Sequence, residues 1–441
     1  MTPDELKRNV DTVVVVMMEN RSFDHVLGYL RHPDHGNRTD VDGIEDLANE
    51  AYVNINLDGE GKRPYWMPDG PLSSDLPHDA AGTAVQLKYS VPAKRYLMTG
   101  FVEAFEKKLN SKMAAPLPMG LLRPQDLPTT SMLADRYCVC DRWFACVPTS
   151  TAPNRLMALC GATPLDNLGV LLPNQPTVYD WLLDHGVRWR VYAAGLPFFV
   201  LMPRLLKLVL TGHFRRLSEL AHDLATEGPD ERPQVIFIEP DYYDSPVHFR
   251  PPCDNHPPLG IAAGEAFVAE AYQALAQSPL WCRSVFILTY DEHGGFFDHV
   301  PPLPVSYRHA SGVGFDTTGL RTPAIIAGPY APRGVSHVPL DHTSILQLLA
   351  ERFGSSGESY SMEVLDRQRQ GIRSVSEILE VAADNTQTCR FAAPADVGTP
   401  ASVGHSELSG VFHWAIRELL SRHRTEAMIK YPELRRDFKA A

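Results

Sequence analysis

The most constraining feature of the chain is an apolar run that ends in a cluster of ionisable residues. Val285 to Tyr290 is a continuous apolar, β-branched and aromatic run, which is typical of a strand buried on both faces. Asp291, Glu292 and His293 follow at once, and two glycines come next. Open α/β sheets bind ligands just outside the carboxyl ends of their strands. The pattern therefore predicts either a site for a divalent cation and a phosphate or sulfate oxyanion, or an ordinary polar turn.

A second apolar strand is predicted over residues 12–18, and polar residues again crowd its carboxyl end. Glu19, Asn20 and Arg21 follow this strand directly. One interpretation is that Asn20 or Ser22 only caps the helix that begins near residue 23. Capping explains one polar residue but not the whole run, so the sequence favours a functional role for these residues. The amino terminus of the helix would also offer free N–H groups to an anion.

Three consecutive hydroxyl residues, Thr149 to Thr151, stand before Pro153 and an apolar helix over residues 156–160. This arrangement presents a hydroxyl at the amino terminus of a helix. A threonine there is a possible nucleophile if a metal lowers its pKa. The alternative is that these residues simply cap the helix, and the local sequence does not choose between the two.

Alternating strand and helix patterns in the second half of the chain predict an α/β fold with a largely parallel central sheet flanked by helices. The predicted strands are 189–192, 234–238 and 324–327, and the predicted helices are 178–185, 262–277 and 343–353. We interpret 31–120 as an irregular insertion with one short helix at 101–109, and about 360–441 as a helical carboxyl-terminal part with a loop at 386–406 and an apolar helical face at 408–420. A single domain over 1–441 is the simplest organisation.

Charge and composition exclude several classes of partner. A formal net charge of −12 makes binding to nucleic acid or to an anionic bilayer unfavourable, although a bound metal can reverse the sign locally. The seven cysteines form no CxxC pair, and no signal peptide is visible, so we expect a cytoplasmic protein. The apolar segment 195–210 is interrupted by prolines and charges and predicts a buried helical hairpin or a lid for an apolar substrate. We expect no stable membrane insertion.

Taken together, the motifs resemble one family. These are residues 17–25 with Glu-Asn-Arg-Ser-Phe-Asp, 151–155 with Thr-Ala-Pro-Asn-Arg, 256–258 with His-Pro-Pro, 289–302 with Asp-Glu-His-Gly-Gly, and 341–344 with Asp-His-Thr-Ser. The chain looks like the bacterial phospholipase C and acid phosphatase family of phosphoesterases, within the alkaline phosphatase superfamily. The resemblance runs in the family's order from residue 12 to about 355.

The resemblance implies a metal-assisted phosphoester hydrolase with a covalent phosphoryl-enzyme intermediate. Its implied metal ligands are Glu19, Asp291, Glu292 and Thr151; its catalytic residues are Thr151, His78 and His256; and its substrate-binding residues are Asn20, His293 and His342. Thr151 would be the nucleophile and His78 the general acid for the leaving group, although on the sequence alone His78 is only a loop histidine. His256 would also contact phosphoryl oxygens, and His342 would be either a ligand or a residue behind the ligands.

Two departures from the family pattern affect these expectations. The glycine-proline that precedes the family's nucleophile is Thr149-Ser150 here, which leaves either Ser150 or Thr151 as the presented hydroxyl. Many relatives carry an export signal and further carboxyl-terminal domains, and their absence favours a small soluble phosphoester over an extracellular phospholipid headgroup. Carboxylate-rich ligation accommodates Ca²⁺, Mn²⁺, Mg²⁺ or Zn²⁺. The sequence does not decide how many ions bind, whether the substrate is a phosphomonoester or a phosphodiester, or what the oligomeric state is.

Two competing functions use the same scaffold. A sulfatase would need a cysteine or serine that is converted to formylglycine, but Thr151 stands at that position and cannot give this aldehyde. An inactive, metal-stabilised binding protein is the other alternative, and the retention of nearly every motif argues against it.

Overall fold

The computed structural model describes residues 1–111, 116–167, 172–381 and 407–437. Its strands are β1 Thr12–Met18, β2 Asn54–Ile55, β3 Gly61–Lys62, β4 Tyr65–Trp66, β5 Tyr89–Ser90, β6 Arg95–Tyr96, β7 Gly120–Leu121, β8 Cys138–Cys140, β9 Trp143–Phe144, β10 Trp189–Ala193, β11 Phe214–Arg216, β12 Val235–Glu239, β13 Ser284–Tyr290, β14 Tyr307–Arg308, β15 Gly314–Phe315, β16 Ala324–Ala327, β17 Gly334–Ser336 and β18 Leu340–Asp341.

Its α-helices are α1 Pro3–Asn9, α2 Phe23–Leu27, α3 Ala80–Leu87, α4 Phe101–Leu109, α5 Pro128–Arg136, α6 Thr151–Cys160, α7 Val178–Asp184, α8 Leu206–Val209, α9 Leu220–Thr226, α10 Ala262–Ala276, α11 Thr343–Phe353, α12 Met362–Arg369, α13 Glu407–Lys430 and α14 Leu434–Asp437. Helix α13 is interrupted by non-helical backbone at His423. The predicted loop at 386–406 lies outside the described residues.

One eight-stranded sheet forms the centre of the fold, in the order β11-β10-β12-β1-β13-β16-β8-β17. Strand β16 pairs antiparallel with both neighbours, and the other pairings in this sheet are parallel. Helix α11 packs against both α1 and α6, and helix α10 packs against both α5 and α9. Strands β1 and β13 are buried at every residue because they lie in the middle of this assembly. The predicted α/β class with a largely parallel sheet is confirmed.

The insertion over residues 31–120 is more regular than predicted. It contains the expected helix α4, but also helix α3 and short two-stranded pairings that the sequence pattern did not indicate. A small apolar core of its own includes Leu87 and Phe101, and it reaches Phe297 in the segment that follows β13. This contact places the insertion over the end of the central strand.

The apolar segment 195–210 forms short turns of 3-10 helix and the short helix α8, and not a helical hairpin. Residues 198–202 are fully buried. Helix α13 packs on this segment, so the carboxyl-terminal helix reaches the sheet through it. The segment is therefore a buried support, and its burial argues against a lid.

The register of β1 against β13 decides where the polar strand ends meet. The two strands pair in parallel over seven residues, with Met18 beside Tyr290. Glu19 and Asp291 therefore leave the sheet at adjacent points, and β12 ends on the other side of β1. Sequence segments more than 270 residues apart are joined here, since Asn20 and Asp291 are separated by 271 positions.

Gly294 allows the two strand ends to approach each other. Its φ is +62°, and a Cβ atom at this position would lie 1.9 Å from the carbonyl oxygen of Asn20.

We predict that Gly294→Ala lowers the free energy of unfolding by about 2–5 kcal/mol, because left-handed strain and a backbone clash add together. Gly312 is a matched control, since it has a φ of +95° and no atom within 4 Å of the added Cβ. We expect Gly312→Ala to lower the free energy of unfolding by only about 1 kcal/mol. Urea titrations of both variants measure these changes, and equal losses of unfolding free energy in the two would contradict the prediction.

Candidate active site

Backbone hydrogen bonds tie the two strand ends together. The amide of Asn20 donates to Asp291 Oδ1 at 3.0 Å, and the amide of Asp291 donates to the Met18 carbonyl at 3.1 Å. The amide of Arg21 donates to the Glu292 carbonyl at 3.1 Å. Asn20 adopts a left-handed conformation with a φ of +59°, which asparagine tolerates better than most residues. The two polar runs found in the sequence therefore form one site.

The structure distinguishes among the three consecutive hydroxyl groups. Thr151 Oγ1 lies 3.4 Å from Asn20 Oδ1, within the site. Ser150 Oγ donates to Asn167 Oδ1 at 3.1 Å, and Thr149 Oγ1 donates to the Asp166 carbonyl at 2.8 Å. Ser150 occupies the N-cap position of α6 but makes no side-chain capping hydrogen bond. The capping interpretation is therefore wrong for this helix, and Thr151 is the hydroxyl presented to the site.

Asn154 fixes the backbone that leads to Thr151. Its Nδ2 donates to the carbonyls of Val147, Thr149 and Ser150 at 3.1, 2.8 and 3.1 Å, and its Oδ1 accepts from the Val147 amide at 3.0 Å. One buried amide side chain thus holds the turn before α6, which places the free N–H groups of this helix beside the Thr151 hydroxyl.

The predicted carboxylate ligands carry the electrostatic signature of a cation site. Glu19, Asp291 and Glu292 are at most 1% exposed. Asp291 Oδ2 and Glu292 Oε1 are buried and accept no hydrogen bond. Burial raises the pKa of Glu292 to about 8 and raises that of Glu19 well above its ordinary value, although Arg155 opposes the latter. Buried oxygens without donors fit a hard divalent cation, which such carboxylates bind readily.

These ligands are not the most compact group of potential metal ligands. Within the described part of the chain, ligand atoms of Asp75, His78 and His256 all lie within 4.8 Å of one another, as do those of Asp24, Asp298 and His299. The three predicted carboxylates do not form such a group among the described residues. Glu19 Oε1 instead accepts from the Arg155 guanidinium at 3.2 Å. A shared ion would draw on the oxygens of Asn20 and Thr151 as well.

The group around Asp24 is an ion-pair network. Arg321 donates to Asp24 at 3.0 Å and to Asp298 at 2.9 Å. His299 bonds Asp24 through Nδ1 at 2.7 Å and Asp42 through Nε2 at 3.0 Å. Both ring nitrogens of His299 are therefore engaged, and the positive charge that these carboxylates need is already present in the protein.

This network makes stability depend on pH. Burial lowers the pKa of His299, but Asp24 and Asp42 raise it to about 9, against an ordinary value of 6.5. The stabilisation is complete below pH 6.5 and is lost as the pH rises to about 9. We predict that His299→Gln lowers the free energy of unfolding by up to about 3 kcal/mol near pH 6 and by much less above about pH 9. Denaturant titrations at both values test this, with the exposed His222→Gln as control; a loss independent of pH would contradict it.

His78 and His256 each keep one ring nitrogen available. The Nδ1 of His78 bonds the Leu76 carbonyl at 2.8 Å, and the Nδ1 of His256 bonds the Pro257 carbonyl at 2.5 Å. Their ring centroids are 5.9 Å apart. Burial lowers the pKa of His256, but Asp244, Asp75 and other carboxylates raise it to about 10. At neutral pH His256 is therefore a charged donor, and its Nε2 is free to bind a phosphoryl oxygen.

The other two predicted histidines contact other protein groups through both ring nitrogens. His293 Nε2 donates to Gln86 Oε1 at 2.7 Å, and its Nδ1 lies 3.1 Å from Glu292 Oε2. His342 Nδ1 accepts from the Trp143 indole at 3.1 Å, so its Nε2 donates to the Asp291 carbonyl at 2.6 Å. Neither ring has a nitrogen left for a substrate oxygen. Both rings therefore lie behind predicted ligands, His293 beside Glu292 and His342 beside Asp291, and for His342 this is one of the two positions that the resemblance implied.

Four residues of the site had no assigned role in the sequence. Asp75 lies beside His78, Gln86 holds His293, Asn154 fixes the turn before Thr151, and Arg155 bonds Glu19. Asn154 and Arg155 belong to the Thr-Ala-Pro-Asn-Arg motif at 151–155, so their positions three and four residues after Thr151 could have indicated a role in the site. Asp75 and Gln86 act through tertiary contacts from the insertion, and no local pattern marks them.

The structure thus has a buried carboxylate site at the carboxyl ends of a mostly parallel sheet, beside a hydroxyl at a helix amino terminus. The chain belongs to the Phosphoesterase family, whose family model matches residues 10–356. This confirms the family resemblance noted in the motifs.

Two plant relatives and one bacterial relative are similar over most of this chain. It is 31% identical to non-specific phospholipase C1 of Arabidopsis thaliana, and the match covers 76% of this chain and 64% of that protein. It is 30% identical to non-specific phospholipase C3 of the same plant, and the match covers 78% of this chain and 69% of that protein. It is 28% identical to phospholipase C A of Mycobacterium tuberculosis over 78% and 73%. The chain thus spans only part of the length of the curated relatives that it matches.

A solved structure of an alkaline phosphatase superfamily protein from Vibrio parahaemolyticus aligns with 77% of this chain and 79% of its own, at 12% identity and a TM-score of 0.36. A likeness of this size adds nothing to the family assignment. Among the described residues, none of the helices combines the length and apolar character needed to cross a bilayer.

Proposed function

We propose that this chain is a metal-dependent phosphoester hydrolase in which Thr151 carries the phosphoryl group between two displacement steps. The observation that carries the proposal is the position of the Thr151 hydroxyl, which lies 3.4 Å from Asn20 at the meeting point of the two strand ends. The unpaired oxygens of Asp291 and Glu292 lie at the same strand ends. The competing hydroxyls of Thr149 and Ser150 are bonded elsewhere.

The ion would be held by Glu19, Asp291 and Glu292, with the oxygens of Asn20 and Thr151. When bound, a divalent cation neutralises charge on the phosphoryl oxygens and lowers the pKa of a bound hydroxyl. The donor set consists of oxygens only, which suits Ca²⁺, Mg²⁺ or Mn²⁺ better than a soft cation. The buried oxygens Asp291 Oδ2 and Glu292 Oε1, which accept no hydrogen bond, support metal dependence.

The chain's own groups account for the remaining needs of the reaction. In the first step the Thr151 hydroxyl loses its proton to solvent, its oxygen forms a bond to phosphorus, the bond from phosphorus to the leaving oxygen breaks, and His78 supplies a proton to that oxygen. In the second step His78 takes a proton from water as the water oxygen bonds to phosphorus, the bond to Thr151 breaks, and the Thr151 oxygen regains a proton from solvent. His256 is charged and donates to the non-bridging oxygens, and the free N–H groups of α6 act in the same way.

The relatives suggest the class of substrate. Two are named non-specific phospholipase C and one phospholipase C, so we propose a phosphoric diester, with a phospholipid headgroup ester as the first candidate and a small soluble phosphoester as the second. The discriminating experiment is a panel of an aryl phosphomonoester, an aryl phosphodiester and phosphatidylcholine, each with and without added divalent ions. Turnover of none of the three would refute the proposal.

We predict that Thr151→Ala lowers kcat by at least about 10³-fold, because no other hydroxyl in the turn faces the site. Thr151→Ser should retain a measurable part of the activity, and Ser150→Ala and Thr149→Ala should stay within about tenfold of the unmodified chain. An acid quench during turnover, followed by peptide mass spectrometry, should locate a phosphoryl group on Thr151. Full activity of Thr151→Ala would remove this residue from the mechanism.

We further predict that dialysis against a chelator abolishes turnover and that one of Ca²⁺, Mn²⁺, Mg²⁺ or Zn²⁺ restores it. Glu292→Gln should raise the concentration of ion needed for half-maximal recovery by about tenfold or more, because it removes the charge of a buried carboxylate whose Oε1 accepts no hydrogen bond. Activity that survives exhaustive chelation would exclude the metal and leave the Thr151 experiment to stand alone.

A further inference from the structure

Arg155 lies on the same helix as the proposed nucleophile, four residues further along, so both side chains share one face of α6. Its Nη2 donates to Glu19 Oε1 at 3.2 Å and to the carbonyls of Met17 and Met18 at 3.3 Å each. Its Nε lies 3.7 Å from Asp291 Oδ2. A single guanidinium therefore contacts the end of β1 and approaches a carboxylate at the end of β13.

The far side of the same guanidinium is held just as firmly. Its Nη1 donates to the Tyr242 hydroxyl at 3.0 Å, and that hydroxyl donates to Glu239 Oε2 at 3.2 Å. Glu239 also accepts from the Phe198 amide at 2.6 Å. The guanidinium carbon lies 5.5 Å from the ring centroid of Phe198 and 5.2 Å from that of Tyr242. These contacts fix the orientation of Arg155 independently of Glu19 and Asp291.

We propose that Arg155 is a positioning residue: the planar donor fork of its guanidinium hydrogen-bonds Glu19 Oε1, lies beside Asp291 Oδ2, and so sets the orientation of the Glu19 carboxylate toward the ion. The inference rests on the proposed function, in which these carboxylates hold a divalent cation. Groups that hydrogen-bond a metal ligand from behind orient it and raise the affinity of the site. Because the fork is on α6, one helix sets the place of both the nucleophile and the ligands.

A charge role and a positioning role make different predictions. If Arg155 mattered only through its positive charge, it would repel the incoming cation, so a neutral replacement would tighten binding and lysine would leave it unchanged. If the fork matters, lysine also fails, because an ammonium group lacks the planar, multiple-donor geometry of guanidinium. Metal affinity of the apoprotein therefore separates the two roles without any use of turnover.

The experiment is calorimetric titration of Mn²⁺ into the metal-stripped full-length chain. We expect Arg155→Lys and Arg155→Gln each to raise the Kd for Mn²⁺ by about 10–100-fold. Tyr242→Phe removes only the hydroxyl that holds Nη1, so a smaller rise of about 3–10-fold is expected. It also serves as the second variant if Arg155→Lys does not fold.

The matched control is Arg321→Lys. Arg321 is another buried arginine that bonds two carboxylates, but it bonds no proposed ligand. The Kd of this variant for Mn²⁺ should not change even if its thermal midpoint falls.

The outcomes distinguish this inference from the proposed function. Unchanged Mn²⁺ affinity in folded Arg155→Lys and Tyr242→Phe, with binding by the unmodified chain intact, would overturn the positioning role and leave the metal site standing. Tighter binding in Arg155→Gln with no change in Arg155→Lys would overturn it in favour of a charge role. If the unmodified chain binds no Mn²⁺, Ca²⁺ or Zn²⁺, the proposed metal site fails, and the inference fails with it.

Discussion

The in-register parallel pairing of β1 with β13 is the interaction on which the rest of the structure depends. It brings Met18 and Tyr290 side by side, so the polar residues after each strand emerge together. A slip of one residue would turn alternate side chains to the opposite face and put polar groups in the apolar layers. The buried valine, isoleucine and leucine side chains of both strands make such a slip costly, so the packing that stabilises the sheet also sets the geometry of the site.

Burial in turn gives the site its electrostatic character. Several carboxylates lie at the strand ends without contact with water, and few protein cations balance them. His256 responds by remaining charged, since its neighbours raise its pKa to about 10. Two buried oxygens, Asp291 Oδ2 and Glu292 Oε1, still accept no hydrogen bond, so the cost of burying them is not offset by a protein donor. The cation that we propose for this site would relieve that cost on binding.

The sequence predicted the central elements well, and there are physical reasons for this. Strands buried on both faces read as continuous apolar runs, so β1, β13 and β16 were recognised almost to the residue. Helix α3 was missed because it lies within a stretch rich in glycine and proline, and its stability comes from packing on α4 and not from a strong apolar pattern. Tertiary contacts of this kind leave little trace in a local window of sequence.

The same distinction applies within the site. The residue types at the strand ends indicated a cation and an oxyanion, but the pattern did not decide between Ser150 and Thr151. That choice depends on Asn167, which takes the Ser150 hydroxyl away from the site. Nor did the pattern separate histidines that face substrate from those that do not. His293 and His342 are occupied by Gln86 and Trp143, which come from other parts of the chain.

The hydrogen bond from His293 to Gln86 has a consequence for how this chain can be altered. Gln86 belongs to helix α3 of the insertion, and its Nε2 also donates to the Pro77 carbonyl next to His78. One amide side chain therefore bonds both His293 and the backbone next to His78. The insertion also contributes Val41, Met67, Leu76, Phe105 and Leu117 to the main hydrophobic core. Shortening the 31–120 region to a minimal connector would remove both this contact and part of that core, so α3 should be kept in the design of compact variants.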